Sequence, residues 1–126
     1  MLSSNARKMF DPQSDRCINI AMDLGVFGAR AFSNGIENLP AAFSTVAGAG
    51  PDVIQVNPGG LRTLVDAGLS DSVTVALRLD VTNVYEARVV EKAWDTAHAN
   101  TLEDALHPSV GCVVLNLLEL DGNSAL

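Results

Sequence analysis

The sequence predicts an α/β fold built on parallel strands. Strand and helix signals take turns along the chain, the strand candidates are short Val-, Ile- and Leu-rich runs bounded by Gly, Pro, Asn or Asp, and no repeat, low-complexity block or linker interrupts them. A strand followed by a helix and then another strand of the same sheet requires a crossover. The strands are therefore expected to run parallel, with helices covering at least one face.

Taken in order, residues 3–9 form a candidate lead-in helix and residues 17–23 the first strand. Residues 39–49 read as a helix, with Pro40 suited to its first turn and Gly48 and Gly50 to its end. The second strand is expected over 53–57. A helix over 60–67 follows, with Leu61, Leu64 and Val65 on one face and Gly68 as its stop. The third strand is expected over 73–80. Between residues 85 and 100, Val89, Val90, Ala93, Trp94 and Ala97 are spaced as on a helix, and a helix is expected there although nothing caps it well. Thr101-Leu102-Glu103-Asp104 resembles a capping box opening a short helix through Leu106, with Pro108 just beyond, and the fourth strand spans 110–117.

Composition narrows the function classes. A chain of 126 residues that is 48% hydrophobic can bury one real core. Its formal net charge is −7, and the eight Lys and Arg are scattered, so the basic stripe that a phosphate backbone requires is missing. Nucleic acid is not an expected partner. The apolar runs fall short of a membrane span and the first twelve residues do not read as a secretory leader, so no membrane partner and a cytoplasmic location are expected. Cys17 and Cys112 lack disulfide-framework or metal-site spacing and are expected to pack as small apolar groups.

Side chains alternate across a strand, so parity separates two faces. One holds Ile18, Ile20 and Met22, then Ile54 and Val56, then Val73, Val75, Leu77 and Leu79, then Val113, Leu115 and Leu117, all fit to lie beneath helices. The other holds Cys17, Asn19, Ala21 and Asp23, then Val53, Gln55 and Asn57, then Thr74, Ala76, Arg78 and Asp80, then Cys112, Val114 and Asn116. On this second face the strands end in Asp23, Asn57, Asp80 and Asn116. Carboxyl ends of parallel strands are where α/β sheets and barrels keep their ligands, although Asn and Asp also end strands simply because turns begin there. Arg78 stays charged wherever it sits, so it is expected either on a ligand or in an internal pair with Asp80 or Asp23. His98 and His107 read as loop or surface residues and Trp94 as packing. The glycines at 48, 50, 59 and 60 make no nucleotide-binding loop.

The run Ile20-Ala21-Met22-Asp23-Leu24-Gly25-Val26 resembles the first-strand signature of the class I, Schiff-base aldolases grouped with the archaeal-type fructose-bisphosphate aldolase and with the deoxyribose-phosphate and tagatose-bisphosphate aldolases. That signature usually reads Ala-Met-Asp-His-Gly, so Leu24 stands in the place of the histidine. The similarity continues through Phe10-Asp11-Pro12, Asn34-Gly35-Ile36-Glu37-Asn38, Gly50-Pro51-Asp52-Val53-Ile54, Leu77-Arg78-Leu79-Asp80, Leu102-Glu103-Asp104-Ala105 and Val113-Val114-Leu115-Asn116-Leu117. It spans almost the whole chain and rests on the order and spacing of these pieces.

The resemblance implies a partial (β/α)8 TIM barrel, of which one unit of this length supplies the amino-terminal half with about four parallel strands. The implied chemistry is attack of a lysine amine on the carbonyl of a sugar phosphate such as fructose 1,6-bisphosphate, the resulting iminium acting as electron sink while a carbon–carbon bond breaks or forms. Neither metal nor cofactor is implied. Asp23 matches the family's active-site aspartate; Asn57, Arg78, Asp80 and Asn116 are candidate substrate-binding residues because they share its face at the strand ends. The family's Schiff-base lysine, tyrosine acid and phosphate loops belong to later strands, and Lys8 and Lys92, the two lysines of this sequence, are not strand-end residues. The expectation is a truncated or split aldolase-like protein, inactive alone, with self-association or a complementary barrel half as partner. The alternatives are a non-catalytic interaction module and a small-molecule-binding domain using Asp23, Asn57, Arg78 and Asp80 without covalent chemistry.

Overall fold

The computed structural model describes residues 4–24, 33–82, 96–98 and 102–117. Its centre is a four-stranded parallel sheet of β1 (Asn19–Ala21), β2 (Val53–Val56), β3 (Thr74–Arg78) and, after two intervening strands, β6 (Val110–Val114). The spatial order is β1-β2-β3-β6, each strand of this sheet lying beside the one before it. The α/β class and the parallel direction follow the sequence pattern.

Helices α1 (Ser4–Arg7), α2 (Leu39–Gly48) and α3 (Pro58–Asp66) fall within or close to the expected segments. The Asn38 side chain caps α2 by accepting from Ala41 N at 3.2 Å, and Pro40 occupies its first turn, where a missing N–H costs nothing. The second long helix begins earlier than its apolar face suggested, at Pro58, because Asn57 caps it. It ends at Asp66, and Gly68 just beyond the cap has a φ of +67°, a left-handed conformation that suits glycine.

Register confirms the two faces. Ile20 is level with Ile54 and Ile54 with Val75, while Val56 is level with Leu77 and Leu77 with Val113. On this side Phe43 of α2 and Leu64 of α3 join Ile54, Val56, Val75 and Leu77 in one core, all six fully buried. Each such side chain contributes about 1.5–3 kcal/mol through removal of apolar surface from water. Every residue of β3 is buried, as befits a central strand covered on both sides. Toward the edges cover is thinner: Ile18, Val113, Leu115 and Leu117 are exposed.

The opposite face is closed at the amino-terminal ends of the strands by the lead-in segment. Thr74 Oγ1 donates to the Lys8 carbonyl at 3.3 Å, and the Met9 side chain lies against Gly111. Gly111 is the extra residue of a bulge between β3 and β6, since Val75 is level with Val110 but Ala76 with Cys112. A Cβ there would stand 2.8 Å from Met9 Cγ and 2.7 Å from Thr74 Cγ2, so the close approach itself demands glycine. After the lead-in helix, Asp11 Oδ1 accepts from Gln13 N, Ser14 N and Ser14 Oγ, organising the turn into β1. The Ser14 hydroxyl and amide hold that carboxyl below its ordinary range.

The helix expected over 85–100 needs correction. Residues 96–98 are a strand, β5 (Thr96–His98), antiparallel to β4 (Asp80–Thr82), with Asp80 opposite His98 and Thr82 opposite Thr96. An uncapped helical spacing lost to a backbone ladder with the strand that continues β3, and His98 belongs to that strand rather than to a loop. The rest of the expected helix, with Trp94 and Lys92, lies outside the described residues. The short helix after it is a 3-10 helix, Leu102–Leu106, and its expected cap Thr101 is likewise outside them. Among the described residues no helix is long and apolar enough to cross a membrane.

Candidate functional site

Three ionisable side chains are buried at the carboxyl ends of the strands: Asp23 after β1, Arg78 at the end of β3, and Asp80 at the start of β4, exposed by only 3%, 7% and 2%. A lone guanidinium in such a place would be prohibitive, and the geometry supplies both counter-charges. Arg78 Nε donates to Asp23 Oδ2, and Arg78 Nη1 donates to Asp80 Oδ1 at 3.2 Å. The two internal pairs that parity allowed are thus both formed, and Arg78 acts as the bridge between β1 and β4 rather than as a free anion binder.

Neutral groups extend the network to both edges. Gln55 Nε2 donates to Asp23 Oδ2 at 2.8 Å, and Gln55 Oε1 accepts from Asn19 Nδ2 at 3.4 Å. At the other end, Asp80 Oδ2 accepts from the backbone N–H of Asn116 at 3.1 Å. A continuous polar row therefore crosses all four strands, from Asn19 through Gln55, Asp23, Arg78 and Asp80 to Asn116. At its end, Asn116 Nδ2 is buried and has no hydrogen-bond partner. An unsatisfied buried donor of this kind costs about 1–3 kcal/mol, which a ligand oxygen or a bound water would recover.

Of the five residues singled out from the sequence, the structure brings together Asp23, Arg78, Asp80 and Asn116. Asn57 stands apart. Its Oδ1 accepts from Gly60 N at 2.8 Å as the cap of α3. It borders a separate cavity of about 200 Å³ that is also lined by Met22, Leu39, Phe43 and Gly60, residues of the helix-covered side. The turn-forming habit of Asn, one of the two explanations open for strand-end polar residues, accounts for this one. Gln55 is the residue the sequence reasoning passed over. Its parity already placed it on the polar face, but attention to strand ends alone left it out.

Lys8 lies far from this network. It is exposed, and its carbonyl is tied to Thr74 at the start of β3, whereas Arg78 ends the same strand, roughly 13 Å away at 3.3 Å per residue. Cys17 and Cys112 are free thiols. Burial first, then the charge of Asp52, pushes the Cys17 thiol up, and burial first, then the Cys17 thiol, does the same for Cys112. Both are thereby weaker nucleophiles near neutral pH. No group of three or more His, Cys, Asp or Glu converges as a metal site among the described residues.

Fold and network together define a parallel α/β protein with a charged, hydrogen-bonded cluster at the carboxyl ends of its strands. No protein-family model, curated protein or solved structure matches the chain.

Proposed function

We propose that the chain is the amino-terminal half of a (β/α)8 barrel related to the class I aldolases, and that it supplies the carboxylate side of a Schiff-base site whose lysine belongs to a complementary half. The observation that carries this proposal is the buried row at the carboxyl ends of the strands, in which Asp23 and Asp80 share the single cation Arg78. Two carboxylates against one guanidinium leave one negative charge uncompensated among the described residues. A lysine ammonium, or the iminium formed from it, projecting from the missing half would supply the balancing charge and be stabilised by it.

Further support comes from topology. The sheet progresses in simple order with α2 and α3 contributing to one core on one side, as in a barrel; a doubly wound sheet instead reverses its strand order and places helices on both faces. The exposed Val113, Leu115 and Leu117 at one edge, and Ile18 at the other, fit a chain that awaits further barrel elements or a second copy. A sugar-phosphate substrate and a cytoplasmic location go with this function. A second function, small-molecule binding without covalent chemistry, is favoured by the buried, unpaired Asn116 Nδ2 at the end of the polar row.

Borohydride trapping separates the two. The chain is mixed with a carboxyl-terminal aldolase half-barrel that carries a strand-end lysine, fructose 1,6-bisphosphate is added, and adducts are located by mass spectrometry. The expected result is an adduct on that lysine, at least about tenfold reduced by Asp23→Asn, and none on Lys8 or Lys92 of the chain alone. Stoichiometric labelling of Lys8 or Lys92 accompanied by aldol cleavage would overturn the proposal. Absence of trapping in the mixture would leave non-covalent binding as the function.

A further inference from the structure

At the amino-terminal ends of the strands, opposite the buried polar row, a cavity of about 380 Å³ lies between the lead-in helix and the loops that enter β2, β3 and β6. A volume of this size falls within the range of small-molecule sites. Its lining residues carry both signs of charge: Lys8 from the end of the lead-in helix, Asp52 from the loop before β2 and Asp71 from the loop before β3. Opposite charges around one cavity ordinarily close on each other. Here no ion pair joins Lys8 to Asp52 or to Asp71, and Arg78 makes both of the ion pairs among the described residues.

Anchors on either side set the spacing of the walls. The Lys8 carbonyl accepts from Thr74 Oγ1 at 3.3 Å, and Asp52 Oδ2 accepts from Ile18 N at 2.7 Å. Ser70, only 9% exposed, lines the same cavity and makes no hydrogen bond with another described residue. A simple anion or cation brought here is attracted by one wall and repelled by the other. A molecule that carries an ammonium and a carboxylate satisfies both. Taken as a sphere, the cavity is about 9 Å across, long enough for a short amino acid.

We infer that this cavity binds a small zwitterion, an amino acid whose ammonium meets Asp71 and Asp52, whose carboxylate meets Lys8, and to which the Ser70 hydroxyl donates. The site lies at the opposite end of β3 from Arg78 and does not depend on the aldolase-half function.

The test is an NMR titration of the ¹⁵N-labelled chain at low salt with γ-aminobutyrate and, separately, with butyrate and butylammonium, read at the backbone amides of Ser70, Asp71 and Ser72. The zwitterion is expected to give saturable shifts, and each singly charged control to bind about fivefold more weakly, the upper range for an exposed charge pair. Lys8 and Asp71 are exposed, so binding should weaken as salt is raised. Lys8→Gln keeps the main-chain carbonyl on Thr74 and should bring γ-aminobutyrate down to the affinity of butylammonium. Asp71→Asn should lower it toward that of butyrate. Absence of a saturable shift, a singly charged control binding as tightly as γ-aminobutyrate, or unchanged binding by Lys8→Gln would each overturn the proposal. Shifts at the Asn116 side-chain amide in place of those at Ser70, Asp71 and Ser72 would assign the ligand to the polar row and overturn it as well.

Discussion

Replacing Arg78 by methionine tests the central electrostatic claim, that two buried carboxylates depend on one guanidinium. Methionine keeps much of the length and the apolar stem but leaves Asp23 and Asp80, 3% and 2% exposed, without a counter-charge. Removing one partner of a buried ion pair costs about 3–5 kcal/mol, a large part of the roughly 5–15 kcal/mol that holds a domain of this size together. With a urea slope of about 2 kcal/mol per molar, a loss of 4 kcal/mol lowers the unfolding midpoint by about 2 M, measured by far-ultraviolet circular dichroism. The triple variant Arg78→Met, Asp23→Asn, Asp80→Asn removes the orphaned charges as well and should regain most of that loss. A single variant within about 0.5 kcal/mol of the parent, or a triple variant no more stable than the single, would refute the claim that the network is a buried, mutually dependent charge cluster.

Other positions give sharper local tests. Gly111→Ala forces a Cβ against Met9 and Thr74 and should cost about 1–3 kcal/mol in thermal or urea unfolding, with Met9→Ala in the same chain relieving part of it. Asn57→Ala removes the α3 cap and should cost about 1 kcal/mol in urea unfolding; a variant as stable as the parent would contradict the capping role. Cys17 and Cys112 have thiol pKa values raised above the ordinary 9.0, so alkylation by iodoacetamide in the folded chain should be slower than in urea at pH 7.5 and still be rising with pH beyond 9.0; a plateau below that pH would contradict the burial of the thiols.

Local pattern was enough for the strands, for α2 and α3 and for the division of each strand into two faces, because alternation and helix caps are written in neighbouring residues. Ile54, Val56, Val75 and Leu77 had to share a side whatever their neighbours, and Asn38 and Pro40 had to open a helix. The polar face was legible too, and with it the placement of Asp23, Arg78, Asp80 and Asn116 near one another. Tertiary structure decided what local pattern leaves open. The residues 96–98 became a strand because β4 offered a ladder, a partner about fifteen residues away that no helical periodicity can reveal. Asn57 turned to cap α3, since an N-cap lies within three residues of its target and outcompetes a more distant contact. The choice of both Asp23 and Asp80 as partners for Arg78, and the recruitment of Gln55, depended on strands 32 to 55 residues apart being brought level. Sequence alone specified which side chains face inward; only the registered sheet determined that one guanidinium would serve two carboxylates and leave the Asn116 amide unpaired.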